Sequence, residues 1–280
     1  MKQFLLLLFC LFFASLANAQ PIPKSIGKPA IQKRAKAPEK VAVKTKIIYV
    51  EKPAPKKEGF DIEMVAVDGG SFNMGSNEGD ADEKPIHTVT VSSFKIGKYE
   101  ITQAQWKAVM KTNPSYRSGC STCPVETVSF TEIQDFIEEL NYKTGKKYRL
   151  PTEAEWEFAA RGGNNSNNYS YSGSSTLSKV AWAKENSESK THPVGELRPN
   201  ELGLYDMAGN VWEWCSDWYG EDYYSNSPSN NPKGPVSGIN RVLRGGSGTD
   251  SATYCRVARR DNFDPAYRHI LTGFRVVLSQ

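Results

Sequence analysis

The stretch from residue 162 to residue 250 places the strongest constraint on how this chain folds. It is dominated by Gly, Asn, Ser, Pro and aromatic residues, a composition that predicts far more irregular loop than a compact domain usually contains. The same stretch holds Trp182, Trp212, Trp214 and Trp218, and disordered segments rarely carry so many tryptophans. We therefore expect ordered loops that are fixed by aromatic packing, hydrogen bonds and bound ions.

Regular elements are predicted on either side of this stretch. Capping-box sequences begin at Thr102, Ser129 and Thr152, and each is followed by apolar residues at helical spacing. Short strands are predicted at 62–67, 87–92, 94–97 and 273–278. The sequence therefore indicates the α+β class, with short elements joined by long loops.

Residues 1–19 have the features of a secretory signal peptide. A basic start at Lys2 leads into an apolar run from Phe4 to Leu16, and Ala17-Asn18-Ala19 is a small-x-small cleavage site. We predict cleavage before Gln20 and a secreted or periplasmic location. The apolar run is too short to span a bilayer comfortably and no later stretch is long enough, so no transmembrane segment is expected.

Residues 20–58 are predicted to form a flexible tether. They contain eleven Lys or Arg against three Glu, together with six Pro, and such a segment cannot bury enough apolar surface to offset its chain entropy. A solvated spacer and a peripheral contact with an anionic surface are both compatible with this composition. Residues 59–280 carry 23 basic and 28 acidic residues, and this acidic balance argues against nucleic-acid binding by the domain.

Export changes the interpretation of the cysteines. The mature chain would keep Cys120, Cys123, Cys215 and Cys255, an even number in an oxidising compartment. Cys120 and Cys123 could form a redox pair, but the residues around them, including Pro124, indicate a loop rather than the start of a helix. We predict a small loop-closing disulfide between them and leave the pairing of the other two open. A zinc site is not expected, because no histidine lies at ligand spacing from a cysteine pair.

A series of short motifs runs in order through the domain. Among them are Gly69-Gly70-Ser71-Phe72-Asn73-Met74-Gly75, Tyr99-Glu100-Ile101-Thr102, Leu150-Pro151-Thr152-Glu153-Ala154-Glu155-Trp156, Gly209-Asn210-Val211-Trp212-Glu213-Trp214, Arg244-Gly245-Gly246-Ser247 and Gly273-Phe274-Arg275. Together they resemble the formylglycine-generating enzyme (sulfatase-modifying factor) superfamily over residues 60–280. The resemblance implies a single α+β domain, here residues 59–280, that is related to C-type lectins, rich in irregular loops and stabilised by calcium.

The resemblance also identifies where a copper centre would lie. Members that oxidise a sulfatase cysteine to formylglycine use copper, dioxygen and two cysteines spaced C-x4-C soon after Gly-Gly-Ser. Counted from Ser247, these positions are Asp250 and Cys255. A carboxylate is a hard ligand that does not replace a thiolate on Cu(I), so we expect no copper and disfavour formylglycine generation. Ser247, Asp250 and Cys255 remain the catalytic candidates by resemblance, and whether the chain is an enzyme stays open.

Calcium ligands follow from the same resemblance. It assigns Asn210 and Glu213 to one calcium site, and calcium does prefer hard oxygen donors from irregular loops. The alternative is that Asn210 caps a turn while Glu213 pairs with an arginine. Asn186 matches the asparagine of a second calcium site only weakly, because Gly195 stands where an aspartate is expected.

Three functions are compatible with these observations. The first is a binding or scaffold module of the cell envelope that recognises an envelope protein or peptide. The second is an oxidoreductase of the same superfamily that depends on a metal and dioxygen, although three scattered histidines, His87, His192 and His269, give little support for an iron site. The third is a sulfatase-maturing enzyme with a displaced cysteine. We prefer the first, because one fold hosts many activities and the first cysteine of the pair is missing.

Overall fold

The computed structural model describes residues 62–279. The signal peptide predicted at 1–19 and the tether predicted at 20–58 lie outside these residues. None of the helices in the described range has the length and apolar character needed to cross a membrane.

Three short helices form where the capping boxes predict them. They are α1 (Gln103–Met110), α2 (Phe130–Thr144) and α3 (Glu153–Ala160). In each case the predicted cap, Thr102, Ser129 or Thr152, accepts a hydrogen bond from the backbone N–H three residues on, and the Gln or Glu at that position reaches back to the cap. Helix α2 ends at Gly145, whose left-handed φ of 68° is readily adopted without a side chain.

Ten short strands form three small sheets. The first has the order β1-β4-β10-β5, the second contains β2 and β3 only, and the third has the order β8-β7-β6-β9. Their bounds are β1 Met64–Val67, β2 Gly70–Met74, β3 His87–Val91, β4 Phe94–Gly97, β5 Tyr148–Arg149, β6 Trp212–Trp218, β7 Arg241–Arg244, β8 Arg260–Phe263, β9 Thr272–Gly273 and β10 Val277–Ser279. The four predicted strands are present, but the one predicted at 273–278 divides into β9 and β10. These two strands belong to different sheets.

The stretch predicted to be loop contains two strands that the sequence pattern did not reveal. Strand β6 occupies Trp212–Trp218 and pairs with β7. Its first four residues are all buried, so the chain shows no alternation of apolar and polar residues at this point. Because alternation is the main signal of a half-buried strand, a strand covered on both faces is missed.

Aromatic packing holds the loops as expected. Trp156 and Trp214 are fully buried in two neighbouring apolar clusters, and the Trp182 ring stacks on His192 with centroids 3.8 Å apart. The Trp218 ring lies 3.5 Å from the guanidinium carbon of Arg241. The expectation that tryptophans fix this region is confirmed.

The Cys120–Cys123 disulfide is present, while Cys215 and Cys255 are buried free thiols.

We predict that a Cys120→Ser/Cys123→Ser double variant folds and loses at most about 2 kcal/mol of unfolding free energy, because so short a loop removes little chain entropy from the unfolded state. Thermal denaturation measures the effect. Cys215→Ser is the contrasting variant and should lower the unfolding free energy more, since it places a hydroxyl in an apolar core. A double variant that fails to fold would contradict the prediction.

Candidate functional site

Helix α3 brings three glutamates into the interior. Every residue of α3 is buried, including Glu153, Glu155 and Glu157. Such charges are tolerated inside a protein only when they are paired and hydrogen-bonded. The helix therefore depends on basic residues that other segments must supply.

Arginines from β7 and β8 supply most of this compensation. Arg244 donates to Glu153 at 3.2 Å and to Glu157 at 2.5 Å. Arg260 donates to both carboxylate oxygens of Glu153, at 2.7 and 3.0 Å. The pKa of Glu157 is lowered in spite of its burial, because Arg161 and Arg244 stabilise the ionised form. These ion pairs fasten α3 to the third sheet.

A second buried ion pair lies at Glu213 on β6. Arg275 forms a bidentate interaction with it, with both N–O distances 2.7 Å. The Trp156 indole N–H donates to the same carboxylate at 2.8 Å. Arg275 also donates to the backbone carbonyls of Gly97 and Tyr205, both at 3.0 Å. The pairing of Glu213 with an arginine, which the sequence left as an alternative, is thus present.

Two further carboxyl groups surround this ion pair. Burial raises the pKa of Glu100 well above its ordinary value, and the nearby Asp206 and Glu213 raise it further. Burial likewise raises the pKa of Asp206 to about 6. Asp206 accepts a hydrogen bond from the Gly195 N–H through Oδ2, while its Oδ1 is buried without a partner among residues 62–279. The carboxyl groups of Glu100, Asp206 and Glu213 therefore all interact electrostatically with the single guanidinium of Arg275.

Whether calcium fits this region depends on which oxygen atoms are available to bind it. Both Glu213 oxygens are engaged by Arg275, and the amide oxygen of Asn210 accepts from the His192 N–H at 2.9 Å. Within residues 62–279 no group of three or more His, Cys, Asp or Glu side chains is arranged to hold a metal ion. A cation here would therefore need amide and backbone carbonyl oxygens as well. Among residues 62–279 the Asp206 Oδ1 has no partner and offers one oxygen to a cation, whereas both Glu213 oxygens are already engaged. Calcium at Asn210 and Glu213 stays a prediction.

Asn186 has a local structural role. Its side-chain oxygen accepts from the Ala183 N–H at 2.8 Å, and its amide nitrogen donates to the Ala181 carbonyl at 3.0 Å. Both bonds close the turn that contains Asn186. Its assignment to a second calcium site stays a prediction.

Two of the three catalytic candidates are hydrogen-bonded to each other. The Ser247 hydroxyl donates to Asp250 Oδ2 at 2.6 Å, and the Trp212 indole N–H donates to the same oxygen at 2.8 Å. Ser247 is buried. The Asp250 carboxylate is therefore anchored by a serine and a tryptophan.

The third candidate, Cys255, lies in an apolar environment. It is fully buried in a small cluster with Ala181, Ala183 and Ala208. Burial raises the pKa of its thiol to about 12, and the charge of Asp250 contributes. Since the thiolate is the form that binds metals and attacks electrophiles, Cys255 is held in its unreactive form at neutral pH.

The three histidines pack against different aromatic residues. His87 lies beside Tyr224, His192 stacks on Trp182, and His269 lies near Phe263. The His192 ring is also 2.9 Å from the Ser187 carbonyl. Their separate surroundings give no support to an iron site built from these side chains.

The sequence interpretation missed Glu100, Asp206 and Arg275 as members of one cluster. Glu100 and Arg275 lie in the motifs Tyr99-Glu100-Ile101-Thr102 and Gly273-Phe274-Arg275, and Asp206 lies three residues before Gly209-Asn210. Their positions in the motifs give no information on which carboxylate meets which arginine. The available signal was the recurrence of charged residues within apolar motifs, which indicates buried ion pairs.

Comparison with known proteins gives a family match over most of the chain. The sequence model of the family described as "Sulfatase-modifying factor enzyme 1-like domain" matches residues 50–280. This range contains all the residues that the structure describes. It also contains both clusters of buried ion pairs.

Several characterised relatives are similar over the same range. A protein of Paenibacillus barcinonensis named chaperone protein LppX is 33% identical, over 78% of this chain and 90% of the relative. The formylglycine-generating enzyme of Thermomonospora curvata is 31% identical, over 76% of this chain and 92% of the enzyme. The serine/threonine-protein kinase pkn1 of Chlamydia pneumoniae is 34% identical, but the chain spans only 40% of that kinase's length.

A solved structure is similar in fold. Treponema denticola variable protein 1 superimposes with a TM-score of 0.72 and 35% identity, covering 78% of this chain and 95% of that protein. The α+β domain with few helices and many loops is therefore shared with a known structure.

The raised pKa of Asp206 leads to a test by pH. Since its pKa is about 6 in the folded protein against an ordinary 3.8, the native state favours the protonated form. The part of the unfolding free energy that comes from protonated Asp206 is fully present below about pH 4 and is lost as the pH rises through 6. In calcium-free buffer at pH 7.5, Asp206→Asn should therefore be more stable than the parent by on the order of 2 kcal/mol.

Urea denaturation between pH 4 and pH 8 provides the measurement, and the exposed Asp68→Asn is the matched control. The difference between Asp206→Asn and the parent should be small at pH 4 and should grow with pH. A difference that does not change over this range would show that Asp206 ionises normally.

Proposed function

The chain belongs to the sulfatase-modifying factor enzyme 1-like family, and from that premise we propose that it is an exported binding module of the cell envelope that keeps the family fold without a two-cysteine copper centre. The observation that carries the proposal is the environment of Asp250. By the family resemblance its carboxylate takes the place of the first cysteine, and it already accepts hydrogen bonds from Ser247 and Trp212.

The environment of Cys255 supports the same conclusion. Cu(I) binding by a thiol pair requires two accessible thiolates, because soft sulfur ligands are the ones this ion prefers. Here one ligand is replaced by a hard oxygen and the remaining thiol is buried, with a raised pKa. Copper binding at this position would require a second thiol in place of Asp250.

A binding role draws support from the relatives and from the sequence. One similar protein is named as a chaperone. The predicted basic tether would let an acidic domain reach an envelope protein or peptide while the tether itself contacts an anionic surface. Secretion to the periplasm or the exterior follows from the predicted signal peptide and is part of this proposal.

The alternative function is a metal- and dioxygen-dependent oxidoreductase, including sulfatase maturation. It is favoured by the similarity to formylglycine-generating enzymes over more than nine-tenths of the Thermomonospora protein. It also retains one thiol, Cys255, near the family's copper position. An assay for the aldehyde product distinguishes the two functions.

We predict that the reduced, copper-treated protein leaves a sulfatase-motif peptide unchanged in air. The reason is that Asp250 and the buried Cys255 cannot provide the thiolate pair. Peptide mass measured over time is the readout, and an authentic formylglycine-generating enzyme serves as the positive control. Appearance of the aldehyde, with its loss in Cys255→Ser, would overturn the binding-module proposal.

A variant designed to gain Cu(I) binding tests whether the missing thiol is what prevents it. Asp250→Cys should increase Cu(I) affinity over the parent, as measured by competition with a chromogenic Cu(I) chelator. Asp250→Ser is the matched control, because it removes the carboxylate without adding a thiol. Equal copper affinity in all three proteins would show that the missing thiol is not what prevents binding.

Calcium is proposed as a structural ion beside Asn210, with Asp206 as an additional candidate ligand. Excess calcium should raise the melting temperature by a few degrees relative to chelator, since a ligand that binds only the native state stabilises it by mass action. Glu213→Gln and Asp206→Asn should each reduce this response, whereas Asp68→Asn should not. An identical melting curve in calcium and in chelator would exclude the site.

A further inference from the structure

Among residues 62–279, strand β2 pairs with β3 alone and its other edge is left open. The opposite edge of β3 is contacted by residues 229–231. There the Thr90 N–H donates to the Ser229 carbonyl and the Thr90 carbonyl accepts from the Asn231 N–H. The β3 side of the two-stranded sheet is therefore covered at Thr90.

The same bonds reveal which backbone groups of β2 point outward. Because both polar groups of Thr90 point away from β2, Thr90 and its partner Ser71 form a pair without backbone hydrogen bonds between them. The alternation of an antiparallel ladder then makes Asn73 and Thr88 a second such pair. The N–H and C=O groups of Ser71 and Asn73 consequently face the open edge. Among residues 62–279 no backbone hydrogen bond from another segment reaches them.

The ends of this open edge are closed by polar side chains. The Asn164 amide donates to the Gly69 carbonyl at 3.1 Å. At the other end the Gly75 N–H donates to Glu157, and the Gly75 carbonyl accepts from Arg161, both at 2.9 Å. Edge strands are usually protected against unwanted pairing. Here side chains cover the backbone groups of Gly69 and Gly75 but leave those of Ser71 and Asn73 uncovered.

A groove of about 480 Å³ runs along the open edge. It is lined by the consecutive residues Ser71, Phe72 and Asn73. Since successive side chains of a strand point to opposite faces, a groove that touches all three lies against the strand edge. The opposite wall includes Asn164 and Asn168. We call this the β2-edge groove.

The β2-edge groove continues into a second cleft of about 660 Å³, and the two share Arg161. The second cleft adds Tyr169, Arg256 and one carboxylate, Glu78. Arg161 and Arg256 of the lining are joined by ion pairs to the buried carboxylates of Glu157 and Glu83, respectively. Arg161 Nη1 has no hydrogen-bond partner among the described residues.

We propose that the β2-edge groove binds an extended peptide segment of a partner protein, which pairs with the backbone of Ser71 and Asn73 and directs a carboxylate toward Arg161. Backbone pairing with an exposed sheet edge is a general mode of peptide recognition. The inference rests on the proposed binding function and identifies the surface that performs it. It does not depend on the state of Asp250 or Cys255.

The experiment selects ligands from a phage-displayed library of random linear eight-residue peptides, with the purified full-length chain as the target. Affinities of selected peptides are then measured by fluorescence polarisation. Asn73→Pro removes the outward N–H at a position where an edge strand tolerates proline, and it should weaken binding by about tenfold. Asn73→Ala, which keeps that N–H, is the matched control and should weaken binding much less.

The peptide and the unaltered protein provide two further readouts. Replacing the peptide's acidic residue by its amide should weaken binding to the parent but have little effect in Arg161→Gln. Peptide binding should also slow hydrogen exchange at the Ser71 and Asn73 amides, a measurement that remains informative if Asn73→Pro does not fold.

Three results would overturn the proposal. They are the absence of peptide enrichment over a blank surface, equal affinity for Asn73→Pro and Asn73→Ala, and unchanged exchange at Ser71 and Asn73. Self-association of the chain that is lost in Asn73→Pro would assign the edge to a second copy instead. Peptides that bind equally to Asn73→Pro would leave the binding-module function standing and place its surface elsewhere.

Discussion

The buried pair of Glu213 and Arg275 is the interaction on which the arrangement of the domain depends. Both side chains are fully buried, and removing one partner of such a pair typically costs about 3–5 kcal/mol because the other charge is left uncompensated. The remaining donors of Arg275 bind backbone carbonyls at Gly97 and Tyr205. One guanidinium thus joins β6 to the end of β4 and to a loop that has no regular structure of its own.

The same principle explains why a domain with little regular structure is well packed. Helix α3 is buried on all sides, and its glutamates are compensated by Arg149, Arg161, Arg244 and Arg260. Each of these arginines satisfies a carboxylate and several also satisfy loop carbonyls. Specific ion pairs and aromatic contacts therefore provide the order that long helices and wide sheets supply in other folds.

The residues that hold the fold together differ from those to which the family resemblance assigns chemistry. The ion pairs involve residues of α3, β6, β7 and the Gly273-Phe274-Arg275 motif, whereas the copper position implied by the family resemblance would lie at Asp250 and Cys255. The Asp250 carboxylate fits into this scaffold, because Ser247 and Trp212 both donate to its Oδ2. On the proposed function, the family fold carries a binding surface such as the β2-edge groove.

The sequence by itself determined the α+β class, the three helix starts and the family, because capping boxes and ordered motifs are local signals. It also placed the Cys120–Cys123 bridge, whose partners are three residues apart. Only the tertiary structure decided that Glu213 meets Arg275, 62 residues away, and that β6 is a strand. It alone showed that, within residues 62–279, the outward backbone groups of Ser71 and Asn73 are left unpaired. Ion-pair partners and strand neighbours are chosen by contacts distant in sequence, and a chain buried on both faces leaves no periodic pattern from which to infer them.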